Sequence, residues 1–110
     1  MRQSKNMVSV LKQCKKEIAD FPLSVREDLA DALAVLDEGL SLSMPLSRPM
    51  PSIGRGVYEL RLKERSGVYR VIYFIRKKSD IWLIHGFQKK SQKTPKENIE
   101  LAKQRLKGVL

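Results

Sequence analysis

At 110 residues the chain is long enough for one compact domain with one core and too short for two. Its 42% hydrophobic content argues against disorder, and no apolar run approaches the roughly 20 residues of a membrane span. A net charge of +10 favours polyanionic partners, nucleic acid first through counterion release, and the single cysteine, Cys14, excludes an internal disulfide or a cysteine-built metal cluster.

The charge is unevenly spread. Residues 1–16 carry five cations and no anion, whereas residues 17–38 hold seven acids against Arg26 alone. Residues 54–78 carry eight basic and two acidic side chains, and residues 85–107 seven and two. Acid is concentrated early and base late.

The opening stretch, MRQSKNMVSVLKQCKKEIADF, begins basic, but Lys12, Lys15 and Lys16 interrupt its apolar patch. It reads as neither a signal peptide nor an anchor, so a soluble cytoplasmic protein is expected. A brief strand is weakly signalled at Met7–Ser9, and a short helix over 10–20 ends near Phe21-Pro22. Ser24-Val25-Arg26-Glu27 has capping-box spacing, a hydroxyl acceptor followed three residues later by a carboxylate. Val25, Leu29, Leu33, Leu36 and Leu40 then fall near one helical face, predicting a helix over 25–38 that Gly39 terminates. Residues 41–56, SLSMPLSRPMPSIGRG, hold three prolines and two glycines and predict an irregular crossing.

Three β segments follow: Val57–Lys63, Tyr69–Arg76 and Ile81–Phe87, rich in Val, Ile, Tyr, Phe and Trp. Their connections, Glu64–Val68 and Lys77–Asp80, suit hairpins, so an antiparallel meander is expected. Thr94-Pro95-Lys96-Glu97 repeats the capping-box pattern with proline at the first helical position. Ile99, Ala102, Leu106 and Leu110 trace the stripe of a closing helix over 95–107. The predicted architecture is α+β: N-terminal helices, a three- to four-stranded antiparallel sheet and a C-terminal helix, in one domain over 1–110.

Few chemistries survive this composition. One histidine, His85, and one distant cysteine supply no recognisable metal-ligand set. Gly54-Arg55-Gly56 precedes a strand rather than a helix, so it is no phosphate-binding loop, and no serine sits in a recognisable nucleophile context. What remains is a group of cations on strands. Glu59 and Arg61 share one face of their strand by alternation, and Arg70 interrupts the apolar run Val68–Phe74. A charge inside a central strand is costly unless it is paired or opens onto a polar cleft. Arg70–Glu59 or Arg61–Glu59 pairing is one reading of these residues; a cationic cleft is the other. Taken alone, Lys89 and Lys90 read first as a solvated turn and second as a functional pair, and His85 reads first as a hydrogen-bonded sheet residue rather than a catalyst. Tyr58 is the aromatic side chain available to stack on a base.

The ordered series GVYELR (56–61), YRVIYF (69–74) and HGFQKKSQKTP (85–95), ahead of a terminal amphipathic helix, resembles the RelE/HigB toxin superfamily. It is most similar to the phage-associated HigB-like branch, over about residues 20–107. The resemblance implies the toxin of a type II toxin–antitoxin system, a cytoplasmic endoribonuclease (mRNA interferase) that cuts messenger RNA on the ribosome and so inhibits translation. It implies no cofactor and no metal, because the RNA's own 2′-OH serves as nucleophile. The expected partners are mRNA, the ribosome and a cognate antitoxin, a helix-turn-helix DNA-binding protein, with no membrane. Carried over by motif, Arg61, Arg70, Lys89 and Lys90 fall at catalytic or phosphate-binding positions, and Lys77, Lys78 and Lys93 are expected to contact RNA. Glu59 and His85 are further candidate proton carriers. Several better-known relatives use histidine or tyrosine near the C-terminus, and this chain has neither after His85. A non-catalytic RNA- or ribosome-binding protein on the same scaffold is the competing reading.

Overall fold

The computed structural model describes residues 7–77, 80–90 and 94–110. In chain order the elements are β1 (Met7–Val10), α1 (Lys12–Ala19), α2 (Leu23–Asp37), β2 (Ser47–Pro49), β3 (Val57–Glu64), β4 (Gly67–Lys77), β5 (Asp80–Lys89) and α3 (Lys96–Lys107). The expected α+β class holds, with two helices near the N-terminus and a closing helix last, although strand β1 precedes them. Among the described residues no helix is long and apolar enough to cross a membrane.

The sheet has five strands in the order β1-β5-β4-β3-β2. Strands β2 to β5 are antiparallel neighbours, as a meander requires, but β1 runs parallel to β5. The sheet is therefore larger than expected, and mixed. Both additions protect edges. Ser47–Pro49 pairs with Tyr58–Leu60 along the free side of β3, and a proline is tolerated there because an edge strand need not donate on both sides. Met7–Val10 pairs with Asp80–Leu83, covering the first half of β5. The second half is covered by α1, whose Glu17 accepts the Gly86 N–H at 3.0 Å. Glycine suits that approach: a Cβ at Gly86 would stand 3.3 Å from the Phe21 ring and 3.4 Å from Ile18 Cγ1.

Strand alternation divides the core into two layers. On one face Leu60, Leu62, Tyr69, Val71, Tyr73, Ile81 and Leu83 pack against Cys14 and Phe21 and against Val25, Leu29, Ala32 and Leu36 of α2. On the other face Val57, Ile72, Phe74, Ile84 and Phe87 pack under Ala102 and Leu106 of α3 and under Met50, Ile53 and Val109. One short helix does not span that second face. Its uncovered end carries Arg61, Arg70 and Lys89.

Helix ends show where local signals prevailed. Gly39 adopts φ 86°, with its N–H donating to the Leu36 carbonyl and that of Leu40 to Val35, a Schellman ending. Neither capping box forms. Pro22 and Pro95 occupy the cap positions without side-chain caps, and their carbonyls accept from Arg26 and Ile99 respectively. Ser24 consequently lies inside the first turn of α2. The Thr94 hydroxyl instead donates to Glu59 Oε2 at 2.7 Å, because a buried carboxylate needs a donor more than an exposed helix end does.

Candidate active site

Pairing between β3 and β4 sets Arg61 directly opposite Arg70, and β4–β5 pairing sets Val68 opposite Lys89. Directly opposed residues share a face, so the three cations converge on the sheet end that α3 leaves bare. They line an open cleft of about 570 Å³ together with Lys63, Val68 and Lys90. Two arginines set opposite each other repel. The compensating charge is Glu59, two residues before Arg61 on the same face and 0% exposed.

Glu59 Oε1 lies 3.6 Å from Arg70 Nε and 3.8 Å from Nη2 of Arg48, which β2 places opposite it. Arg70 is 3% exposed and Lys89 8%, so both are charged groups held largely out of water. Burial lowers the pKa of Arg70, Glu59 opposes that, and Arg61 and Arg48 add to it. Lys89 is likewise lowered, by burial first and then by Arg70, with Arg61 and Arg48 contributing and Glu59 opposing. Arg70 Nε and Nη1 have no hydrogen-bond partner among the described residues. Buried donors without acceptors, beside an open cleft, are chemically prepared for an anion with several oxygens. Guanidinium groups match phosphate oxygens bidentately, whereas an ammonium of lowered pKa gives up its proton more readily than an ordinary lysine.

The cleft thus unites Arg61, Arg70, Lys89 and Lys90 and excludes several other candidates. Lys77 lies at the far end of β4, seven residues from Arg70, or roughly 23 Å along a strand. Lys78 and Lys93 fall outside the described residues. Tyr58 points to the opposite face, where it stacks on Tyr73 with ring centroids 5.4 Å apart, so it is not available as a base platform here. His85 is buried in a separate network. Its Nε2 lies 2.7 Å from Asn98 Oδ1, and its Nδ1 lies 3.2 Å from both Glu17 Oε1 and Arg105 Nη1. Arg105 grips Glu17 through two hydrogen bonds of 2.8 and 2.9 Å and donates to the Ile84 carbonyl at 3.0 Å. This network ties α1, β5 and α3 together and does not line the cleft.

One cleft residue, Lys63, and one partner of Glu59, Arg48, escaped the sequence reading. Lys63 alternates with Arg61 and was within reach of the same argument. Arg48 sits in the proline-rich crossing, where only tertiary pairing with β3 brings it to Glu59. Among the described residues, no group of three His, Cys, Asp or Glu side chains is arranged to hold a metal ion.

The fold matches that of a doubly substituted variant of the E. coli toxin RelE in the free state, with TM-score 0.61 and 20% identity over 98% of this chain and 100% of that one. A search of curated proteins gives no significant match. The architecture is a RelE-like fold. Residues 16–107 match the profile of the family described as Phage derived protein Gp49-like (DUF891), and the chain belongs to that family, one of the RelE/HigB-like toxin families of toxin–antitoxin systems.

Proposed function

We propose that the protein is a metal-independent endoribonuclease that cleaves messenger RNA on the ribosome and thereby arrests translation. The observation that carries this reading is the convergence of Arg61, Arg70, Lys89 and Lys90 on one open cleft, with buried Arg70 donors left unpartnered among the described residues. The substrate 2′-oxygen attacks the adjacent phosphorus, and its proton passes to the neutral amine of Lys89, whose lowered pKa increases that form. Arg70 and Arg61 stabilise the negative phosphorane as the new P–O2′ bond forms. The P–O5′ bond then breaks, and the leaving oxygen takes a proton from Lys90, which is exposed at the cleft margin. The products are a 2′,3′-cyclic phosphate and a free 5′-OH, and no outside reactant is consumed.

The protein acts in the cytoplasm, where its ribosomal substrate lies. A cognate antitoxin with a helix-turn-helix DNA-binding domain restrains it, and co-expression with that partner should relieve growth arrest. The enzymatic claim is tested by incubating the purified protein with programmed ribosomes and sequencing the mRNA ends. Cleavage leaving those two end groups, abolished by a 2′-deoxy nucleotide 5′ to the cut, supports the reading. Stalled ribosomes carrying intact mRNA would instead establish a protein that blocks by occupancy.

A further inference from the structure

A buried carboxylate beneath a group of cations ordinarily consumes their donors in hydrogen bonds. Glu59 does otherwise. Its Oε2 accepts from the Thr94 hydroxyl at 2.7 Å, but its Oε1 stands 3.6 Å from Arg70 Nε and 3.8 Å from Arg48 Nη2. Oε1, Arg70 Nε, Arg70 Nη1 and Arg48 Nε are all buried and unpartnered among the described residues. Coulombic attraction decays only with the inverse of distance, whereas a hydrogen bond is lost by about 3.6 Å. The carboxylate therefore holds Arg70 by charge and leaves its Nε–H and Nη1–H unspent among the described residues, whereas Arg48 Nη2 donates to Met50 Sδ at 3.6 Å.

We infer that Glu59 is a positioning residue: fixed by Thr94 beneath the cleft, its carboxylate holds Arg70 in place by charge with Nε–H and Nη1–H unpartnered among the described residues, so that the RNA phosphate completes the hydrogen bonding of Arg70. The inference rests on the proposed RNA cleavage and assigns Glu59 no proton transfer. Glu59 is fully buried and does not line the cleft, so the 2′-OH does not meet it.

The arrangement has an electrostatic signature at Lys89. That ammonium faces Arg70 from β4, Arg61 and Glu59 from β3 and Arg48 from β2, and it shares the cleft with Lys63 and Lys90. Glu59 is the acid in this set and favours the charged form of Lys89; the cations disfavour it. Replacing Glu59 by its neutral isostere should therefore release a proton from Lys89 more readily.

The decisive variant is Glu59→Gln, which keeps the side-chain volume and an oxygen for Thr94 but removes the charge. In the intact protein, the Lys89 titration followed by NMR should move down by roughly one pH unit, the low end of the effect of a nearby opposite charge. The acid limb of the pH–rate profile for mRNA cleavage should move with it. At neutral pH kcat should fall about 10–100-fold, the scale of a misplaced catalytic group, without a rise in KM. Thr94→Val retains the charge and loses only the anchor, so it should lower kcat several-fold with the Lys89 titration in its parental place. An unshifted Lys89 titration in Glu59→Gln would overturn the inference. So would complete loss of the acid limb, which would mark Glu59 as the base itself. If Glu59→Gln does not fold, a parental kcat in Thr94→Val overturns it instead. Should the parental protein not cut RNA, the proposed activity fails on its own, while the Lys89 titration still decides what Glu59 does.

Discussion

Two carboxylate–arginine clusters lie on this sheet, and they are built in opposite ways. In one, Glu17 and Arg105 meet through hydrogen bonds of 2.8 and 2.9 Å, with Gly86 and the Ile84 carbonyl taking further partners. In the other, Glu59 and Arg70 stand 3.6 Å apart with three of their polar atoms unpartnered among the described residues. The first joins α1, β5 and α3; the second opens onto a cleft. A satisfied cluster has nothing left to offer a ligand, whereas an unsatisfied one retains the full cost of its buried donors until an anion arrives. The contrast separates a structural clasp from a chemical site, although both contain the same residue types.

That contrast can be broken by substitution. The largest expected effect is at Lys89: Lys89→Ala should reduce single-turnover mRNA cleavage by about 10²–10⁴, the usual contribution of a positioned proton carrier. Arg70→Ala should follow at about 10²–10³, as for removal of a comparable oxyanion stabiliser. Thermal melts must accompany the rate, because leaving Glu59 unpaired can cost roughly 3–5 kcal/mol.

The clasp should respond in stability rather than rate. Arg105→Ala should lower unfolding free energy by about 2–3 kcal/mol, the scale of charge-assisted hydrogen bonds, measured by denaturant titration. It should also alter the acid limb of stability. Burial alone would raise the Glu17 pKa, but the Arg105 hydrogen bond, the Gly86 N–H and the charges of His85 and Arg105 outweigh it and hold the carboxyl below its usual value. A depressed carboxyl stabilises the fold above its unfolded pKa of 4.5, and that stability is lost as pH falls through the folded value. In Arg105→Ala this acid dependence should flatten.

A smaller effect is expected at Cys14 and only at high pH. Burial, assisted by Glu17 and opposed by Arg105, pushes its thiol from 9.0 up to about 12. The unfolded chain therefore loses the proton first, and stability should decline from about pH 9 upward with a limiting slope of about 1.4 kcal/mol per pH unit. Cys14→Ala should remove that decline. Lys107→Ala, in the last turn of α3 and remote from both clusters, should change cleavage and stability by no more than about 0.5 kcal/mol.

Period and turn chemistry made much of the fold legible. The stripe from Val25 to Leu36 and the three apolar strands lie where local pattern put them, and the closing helix starts one residue later than expected, at Lys96 with Pro95 at its cap. Strand β2 was hidden because its three residues, Ser47–Pro49, pair only through contact with the edge of β3. Strand β1 was signalled, but its parallel partner lies more than 70 residues away, a pairing no local pattern encodes. At the site, alternation placed Arg61 with Glu59, and the interruption of an apolar strand exposed Arg70. Arg48 was missed because nothing in a proline-rich crossing reports its partner. The Thr94 hydroxyl illustrates the same limit: its spacing announces a helix cap, yet the tertiary fold offers it a buried carboxylate instead.

The most direct test sets Arg70→Ala beside Arg105→Ala, with single-turnover mRNA cleavage on ribosomes expressed per folded molecule. The account predicts that Arg70→Ala loses about 10²–10³ in rate while its ribosome binding changes far less, and that Arg105→Ala cuts near the parental rate despite a lowered Tm. Equal losses of rate in the two folded variants, or a folded Arg70→Ala protein that cuts as fast as its parent, would contradict it.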